Sequence, residues 1–104
     1  MTCAVRFEAR AARQLRAIEA YLADAATPAV AARFADGVVA FCQITLSRYP
    51  YRGRSRDDLR PGLRVLGYRR RVAVTYTVDD DERVVSILGV FYGGQDWQAA
   101  EAGM

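Results

Sequence analysis

The sequence predicts an α+β domain in which an N-terminal strand and an α-helical hairpin pack on a small, mainly antiparallel β-sheet. Apolar residues recur at helical spacing in the first half, between residues 8 and 46. Residues 71–78 alternate between apolar and polar side chains at strand spacing, and residues 83–92 are apolar on both sides, as expected of a strand with neighbours on both flanks. The chain has 104 residues, which is the length of one domain, and it contains no repeat or internal boundary. We therefore expect residues 1–104 to form a single domain.

The first half begins with a short strand and a helix. Residues 3–7 alternate weakly between apolar and polar side chains, which is compatible with a strand. Residues 8–24 are rich in alanine and other strong helix formers. Because Leu15, Ile18 and Leu22 recur at spacings of three and four, they are predicted to form the buried face of this helix.

A second helix is predicted from Thr27 to about Leu46. Thr27 is a typical N-cap residue, and Pro28 is favoured at the first helical position. The short connection between the two helices favours an antiparallel helical hairpin, and we expect Gly37 to let the helices approach closely. The predicted buried face of the second helix contains Val30, Phe34, Val38, Phe41 and Thr45.

After an irregular stretch over residues 47–62, three extended segments form a meander. They are residues 63–68, 71–78 and 83–92, and the acidic turn Asp79–Glu82 joins the last two. Strict alternation would divide their side chains between two faces of the sheet. The face predicted to pack on the helical hairpin contains Val72, Val74, Tyr76, Val78, Val85, Ile87, Gly89 and Phe91. The opposite face, for which no cover is expected, contains Arg64, Leu66, Tyr68, Arg71, Ala73, Thr75, Thr77, Ser86, Leu88, Val90 and Tyr92.

The basic residues of the chain are all arginines. There are fifteen of them, with neither lysine nor histidine. The absence of histidine excludes Ser-His-Asp and Cys-His catalysis and every zinc site that contains histidine. Two cysteines, Cys3 and Cys42, cannot make a four-thiolate site within one chain. We therefore expect no metal and no cofactor, with Cys42 as a small core residue and Cys3 partly exposed.

The arginines are concentrated in the middle of the chain. Residues 48–71 contain nine arginines and two aspartates, whereas residues 79–104 contain six acidic residues and one arginine. Two interpretations of the basic loop in this middle part are open. It could grip phosphate groups beside Tyr49 and Tyr51, or it could be a solvated loop whose aspartates neutralise part of the charge. Because no nucleic-acid-binding motif is present, we expect no direct nucleic-acid binding.

The two ends of the chain give expectations about location and order. Charged residues occur within the first eight positions, which is not typical of a secretory signal. No run approaches the ~18 apolar residues that span a bilayer. We therefore expect a cytoplasmic protein with no membrane partner and with reduced thiols. Residues 98–104 are expected to form a frayed tail.

Several short motifs occur in a characteristic order over about residues 4–97. They are Ala12-x-x-Leu15-x-x-Ile18-x-x-Tyr21, Pro50-x-x-Gly53, Arg60-Pro61-Gly62-Leu63-Arg64-Val65, Tyr76-x-Val78, the strand Val84–Val90 and the closing Gly93-x-x-Asp96. In this order and spacing the chain resembles the ParE branch of the RelE/ParE superfamily, the toxins of type II toxin–antitoxin modules. The fold derived above from periodicity agrees with the fold of that superfamily.

The resemblance implies a partner and a target. The partner would be a ParD-like antitoxin, whose acidic, flexible C-terminal segment wraps the toxin. The target would be DNA gyrase, because characterised members of the ParE branch trap its cleaved-DNA state, and the module would have a role in plasmid stabilisation. Members of the RelE branch instead cut mRNA on the ribosome.

These branches lead to alternative sets of site residues. If the chain acts on gyrase by binding, it has no catalytic residues, and a third hypothesis is a non-toxic binding member of the family. The residues that would then contact the antitoxin or the target are Arg60, Arg64, Tyr68, Arg69, Arg70, Arg71, Tyr92, Asp96 and Trp97.

The second hypothesis is a ribosome-dependent mRNA endonuclease that uses Arg64, Arg71 and Tyr92. RNA cleavage needs a base, an acid and cations near the phosphate. The segment after Tyr92 has no basic residue where the RNases carry one, so the RNase set is incomplete. We therefore favour the hypothesis that the chain acts by binding.

Overall fold

Residues 2–103, which the computed structural model describes, form five strands and three helices around one sheet. In chain order these are β1 (Ala4–Phe7), α1 (Ala9–Ala25), α2 (Pro28–Arg48), β2 (Arg54–Ser55), β3 (Arg64–Tyr68), β4 (Val72–Asp79), β5 (Val84–Tyr92) and α3 (Trp97–Ala102). The strand order is β1-β5-β4-β3-β2, in which β1 is parallel to β5 and every other pair is antiparallel. The predicted α+β fold class, with its N-terminal strand, helical hairpin and meander, is confirmed.

The helical hairpin of α1 and α2 covers one face of the sheet. At the start of α2, the Thr27 hydroxyl accepts a hydrogen bond from the Val30 amide at 3.1 Å, as expected of an N-cap. The core between the helices and the sheet contains Ala11, Leu15, Ile18, Ala35, Val38, Cys42, Leu46, Val72, Val74, Tyr76, Val85, Ile87 and Val90. The prediction that Val30 is buried is wrong, because the buried stripe of α2 starts at Ala31 and leaves Val30 41% exposed.

By length and composition alone, α2 could cross a membrane. Its mean hydropathy reaches 1.4 over an 18-residue window, which is more apolar than the sequence analysis expected. In this fold α2 packs on the sheet through one buried stripe, which consists of Ala31, Ala35, Val38, Cys42 and Leu46. Among them, burial raises the pKa of the Cys42 thiol to about 12, so this thiol remains protonated at neutral pH, as expected of a core cysteine. Cys3 is half-buried, which agrees with the expectation for that residue.

A β-bulge in β5 changes the predicted assignment of residues to faces. Thr75 pairs with Gly89, but the next residue, Tyr76, pairs with Ile87, so Leu88 is an extra residue between them. The extra residue reverses the alternation, so Val90 is on the helical-hairpin face and Gly89 is on the opposite face. The predicted faces are therefore wrong for the end of β5, because strict alternation does not hold across a bulge. The β5 residues that the sequence analysis placed on the wrong face are Gly89, Val90, Phe91 and Tyr92. In β3, Arg64, Leu66 and Tyr68 were also placed on the wrong face, because they pair with Tyr76, Val74 and Val72 of the helical-hairpin face.

The face opposite the helical hairpin is partly covered by the chain's own C-terminal segment. Residues 97–102 form α3, whereas the sequence analysis expected a frayed tail over 98–104; Met104 lies outside the described residues. Glu101 of α3 is 1% exposed and accepts a hydrogen bond from the Arg10 guanidinium at 2.7 Å. The same guanidinium donates to the Leu88 carbonyl of the bulge at 2.9 Å. The expectation of an uncovered face is therefore wrong around β5.

The Arg10–Glu101 ion pair is incompletely satisfied. The second carboxylate oxygen of Glu101 is buried without a hydrogen-bond partner in the described part of the chain. A buried carboxylate stabilises a fold only when its charge and lone pairs are compensated, and removing one partner of such a pair commonly costs about 3–5 kcal/mol. Docking of α3 therefore depends on Arg10.

The turn between β3 and β4 has an uncommon backbone conformation. Arg69 and Arg70 have φ angles of 51° and 59°, and the Arg71 amide donates to the Tyr68 carbonyl at 3.1 Å. Two successive residues with positive φ make a type I′ turn, which favours Asn-Gly. A residue with a Cβ is disfavoured in this region by about 1 kcal/mol or more. Two arginines are therefore held here at the expense of stability.

The turn allows a direct test of this backbone strain. We expect the double substitution Arg69→Asn and Arg70→Gly to raise the free energy of unfolding by roughly 1 kcal/mol, because Asn and Gly adopt positive φ more readily. Urea denaturation of the two proteins measures the change. A variant of unchanged or lower stability would contradict the assignment of strain to these two residues.

A second test concerns the docking of α3. In Arg10→Ala, we expect α3 to leave the sheet, because an unpaired Glu101 carboxylate would otherwise remain buried. Trp97 is the single tryptophan of the chain, so its fluorescence emission reports this change as a shift to longer wavelength. Arg13→Ala removes an exposed arginine from the same helix and should leave the emission unchanged. An unchanged emission in Arg10→Ala would contradict the proposed role of the ion pair.

Candidate functional site

Five of the nine predicted site residues meet at one end of the sheet. Tyr68 at the end of β3 pairs with Val72 of β4, and Val72 pairs with Tyr92 at the end of β5. Next to these strand ends, the Gly93 amide donates to the Arg71 carbonyl at 2.7 Å. This contact brings the turn Arg69–Arg71, here called the arginine turn, beside the segment that follows β5. The topology therefore assembles one site from two distant parts of the sequence.

Aromatic rings of α1 and α2 pack against the tyrosines at the ends of β3 and β5. This aromatic cluster contains Tyr21, Phe34, Phe41, Tyr68 and Tyr92. In its four contacting pairs the ring centroids lie 4.8–6.3 Å apart. Tyr68 fits between the sheet and α2 because Gly37 has no side chain there: a Cβ on Gly37 would lie 2.7 Å from the Tyr68 hydroxyl. Gly37 thus contacts a strand residue, and the expectation that it serves the packing of α2 on α1 is wrong.

An open groove lies next to the aromatic cluster, between α1 and the end of β5. Its volume is about 480 Å³. The residues that line it are Gln14, Ala17, Ile18, Tyr21, Tyr92, Gly93, Gly94 and Gln95. Two glutamines fix its walls: the Gln14 side chain accepts from the Val90 amide at 2.8 Å, and the Gln95 side chain accepts from the Tyr92 amide at 2.6 Å.

The groove and the arginine turn together have the chemistry of a peptide-binding surface. The Tyr21 side chain is 61% exposed at the groove, which leaves apolar ring surface open to a partner. Within residues 2–103, none of the three guanidinium groups of the arginine turn forms an ion pair. The Arg69 guanidinium lies over the Tyr68 ring at 5.3 Å, which links the cationic rim to the aromatic cluster. An acidic segment with apolar anchor residues would satisfy both parts.

Arg64 lies at the other end of β3. It is four residues from Tyr68, which corresponds to about 13 Å along a strand. Its guanidinium donates to the Tyr51 carbonyl at 3.1 Å and to the Gly53 carbonyl at 2.6 Å. Arg60 is also distant from the arginine turn in the sequence, because it lies in the bend that precedes β3. In that bend the Arg60 amide donates to the Arg56 carbonyl at 3.3 Å. The structure therefore does not bring Arg64 together with Arg71 and Tyr92, the other members of the hypothetical RNase set.

The last two predicted site residues, Asp96 and Trp97, lie at the start of α3. The Asp96 carboxylate accepts from the Ala99 amide at 3.0 Å and caps the helix. The Trp97 ring lies beneath the Arg56 guanidinium at 5.3 Å. Both residues thus make contacts that hold the C-terminal segment in place.

The aspartates of the basic loop have local roles. The pKa of the Asp58 carboxyl is lowered by its hydrogen bond from the Arg56 guanidinium, with which it forms an ion pair at 2.9 Å. The pKa of Asp57 is lowered by hydrogen bonds from the Gly62 amide and the Ser55 hydroxyl. Among residues 2–103, no three Cys, Asp or Glu side chains come together as metal ligands.

The sequence analysis missed the α1 side of the site. Gln14 and Ala17 line the groove, but a glutamine and an alanine on a helix carry no signal that distinguishes them from other surface residues. Tyr21 belongs to one of the motifs, and its spacing from Ile18 places both residues on the same side of α1. That spacing, together with the size of the ring, was the available signal for a groove residue.

Comparisons with known proteins agree with this fold. Residues 5–97 match the protein family described as ParE toxin of type II toxin-antitoxin system, parDE. A comparison with curated proteins gives no match.

Several solved structures are similar to the chain, including the following two. One is the chromosomal ParDE toxin–antitoxin system from P. aeruginosa, with 20% identity, a TM-score of 0.74, and coverage of 88% of this chain and 97% of that chain. The other is the toxin–antitoxin complex RelBE2 from Mycobacterium tuberculosis, with 26% identity, a TM-score of 0.67, and coverage of 91% and 95%. Because the family match spans most of the sequence, the chain belongs to the ParE toxin family of type II toxin–antitoxin systems.

Proposed function

We propose that this chain is a cytoplasmic toxin that inhibits DNA gyrase by binding, without chemistry of its own, and that a ParD-like antitoxin neutralises it. The observation that carries the proposal is the arginine turn beside an open, partly apolar groove. Family membership supports an antitoxin partner, and the ParDE system among the similar structures supports a ParD-like one.

The arginine turn has features of a surface selected for binding. Its three arginines are exposed, and two of them occupy backbone positions that favour other residues. Strain of this kind is tolerated where the side chain serves a function. Arginine forks suit carboxylates on a protein partner and are enriched among residues that dominate binding energy.

The geometry favours binding over RNA cleavage. General acid–base catalysis requires its groups within hydrogen-bond reach of one reacting phosphate. Arg64 lies at the far end of β3 from Tyr92, and its guanidinium already donates to two backbone carbonyls. Tyr92 itself packs edge-on against the Phe34 ring at 5.6 Å.

The test is a gyrase assay with purified protein, plasmid DNA and ATP. We expect the wild-type chain to inhibit supercoiling and to accumulate cleaved DNA. The variant Arg69→Asn/Arg70→Gly should need at least about tenfold more protein for the same effect, because arginines are enriched among the interface residues whose truncation costs about 2 kcal/mol or more. Since the same variant is expected to be more stable, loss of fold would not explain lost inhibition.

Two further variants make the test specific. Arg13→Gln/Arg16→Gln removes two exposed arginines of α1 that do not line the groove, and it should retain full inhibition. Tyr92→Phe keeps the ring in the aromatic cluster and should also retain inhibition, whereas an RNase that uses the Tyr92 hydroxyl would lose activity. If wild-type protein leaves gyrase unaffected but cuts mRNA on ribosomes, and Tyr92→Phe removes the cutting, the proposal is wrong.

A further inference from the structure

A second exposed surface lies at the C-terminal end of α2, away from the arginine turn. It consists of residues 48–54, here called the Tyr/Arg loop, and its members Arg48, Tyr49, Tyr51, Arg52 and Arg54 are all exposed. The loop contacts Arg64, which begins β3, whereas the arginine turn follows the end of that strand. It is therefore a separate surface from the site described above.

The Tyr/Arg loop is held in a defined conformation. The Arg52 amide donates to the Tyr49 carbonyl at 3.0 Å, which closes a turn with Pro50 at its second position, where proline is favoured. Arg64 fixes the next residues by donating to the carbonyls of Tyr51 and Gly53. The loop is thus ordered before any partner binds, which lowers the entropy cost of recognition.

The turn forms an open cleft with rings and guanidinium groups on its walls. The cleft has a volume of about 430 Å³ and is lined by Arg48, Tyr49, Pro50, Tyr51 and Arg52. The Tyr49 side chain is 59% exposed and that of Tyr51 is 49% exposed. The Arg64 guanidinium stacks over the Tyr51 ring at 4.9 Å.

The charge of the Tyr/Arg loop is largely uncompensated. In the part of the chain that the structure describes, Arg48, Arg52 and Arg54 form no ion pair, whereas Arg56 pairs with Asp58. One carboxylate lies at the rim, where Asp80 accepts a hydrogen bond from the Tyr51 hydroxyl. The interpretation of this loop as a neutralised, solvated segment therefore fits Arg56 but does not fit the cleft.

We propose that the Tyr/Arg loop binds single-stranded nucleic acid, with its arginines on the phosphates and the Tyr49 ring stacked on a base. Surfaces of this kind combine a positively charged groove with exposed aromatic side chains on which bases stack. In this loop the arginines and the exposed tyrosines are interleaved within one short turn, whereas at the groove the exposed Tyr21 ring lies on α1, apart from the arginine turn. An acidic peptide is the alternative occupant, and the experiment below tests it. The proposal replaces the sequence-based expectation of no direct nucleic-acid binding, and it does not depend on the proposed gyrase target.

The experiment measures binding of the full-length chain to a fluorescein-labelled single-stranded oligonucleotide by fluorescence anisotropy. An oligonucleotide of about 12 nucleotides lies within the usual range of site sizes on such surfaces. We expect affinity to fall with salt between about 50 and 200 mM. In Arg52→Ala/Arg54→Ala the slope of log affinity against log salt should decrease by about 1.4, since each phosphate contact on a single strand contributes about 0.7.

Matched variants distinguish binding by the Tyr/Arg loop from a general attraction of the oligonucleotide to a basic protein. Arg13→Ala/Arg16→Ala removes the same charge from the exposed face of α1 and should leave the affinity and the salt slope unchanged. Tyr49→Ala should weaken oligonucleotide binding without changing the salt slope. Tyr49→Phe should bind the oligonucleotide as tightly as the wild-type chain, because the ring and not the hydroxyl stacks on a base. Asp80→Asn removes the carboxylate at the rim and should tighten binding.

Three outcomes would overturn the proposal. The first is no measurable binding of the wild-type chain at the lowest salt. The second is equal weakening by the α1 variant and the loop variant, which would indicate non-specific attraction to a basic protein. The third combines two results. A glutamate-rich peptide of equal length displaces the oligonucleotide when both are present at equal concentration, and Tyr49→Ala binds the oligonucleotide as tightly as the wild-type chain. That combination would assign the surface to an acidic polypeptide.

Discussion

The extra residue in β5 determines where every later side chain of that strand lies. With Leu88 inserted between the Ile87 and Gly89 pairings, the alternation of faces restarts, and Tyr92 points towards the helical hairpin. The bulge also frees the Leu88 carbonyl to accept from the Arg10 guanidinium. A single backbone irregularity thus links the first helix, the sheet and the C-terminal segment, as β-bulges beside functional sites often do.

The reversed alternation moves the binding surface from the face of the sheet to its end. The opposite face near β5 carries Phe91 and Gly89, both buried, and the Arg10–Glu101 ion pair lies against them. Surface available to a partner remains where the arginine turn, the aromatic cluster and the groove meet. This location combines exposed ring surface with guanidinium groups that form no ion pair within residues 2–103, which a flat sheet face covered by α3 would not provide.

Much of the fold could be predicted because its signals are local. Thr27-Pro28 starts α2, and apolar spacing identifies both helices. Alternation identifies β4, and the apolar run after the acidic turn identifies β5. The bulge could not be predicted, because residues 84–92 are apolar on both sides and either register buries similar side chains. The segment after Trp97 is short and rich in alanine, and it forms a helix through a tertiary contact between Glu101 and Arg10, which lie 91 positions apart.

The site was predicted only in part, because some of its residues are neighbours in the sequence and others are brought together only by the fold. Arg69, Arg70 and Arg71 are adjacent in sequence, and the resemblance to a toxin family directed attention to them. The separation of Arg64 from that group could be predicted from the length of β3. Its hydrogen bonds to the carbonyls of Tyr51 and Gly53 could not, because they depend on the path of an irregular loop. The groove residues Gln14 and Ala17 of α1 could not be predicted, because only the tertiary packing of α1 against the end of β5 makes them part of one surface.

Hydrogen–deuterium exchange of the toxin, alone and bound to its antitoxin, tests the central claim most directly. If the sheet end is the binding surface, backbone amides of residues 68–72 and 92–95 and of the groove side of α1 should gain protection in the complex. Protection confined to α3 and the sheet face beneath it, with unchanged exchange at the arginine turn, would contradict the account.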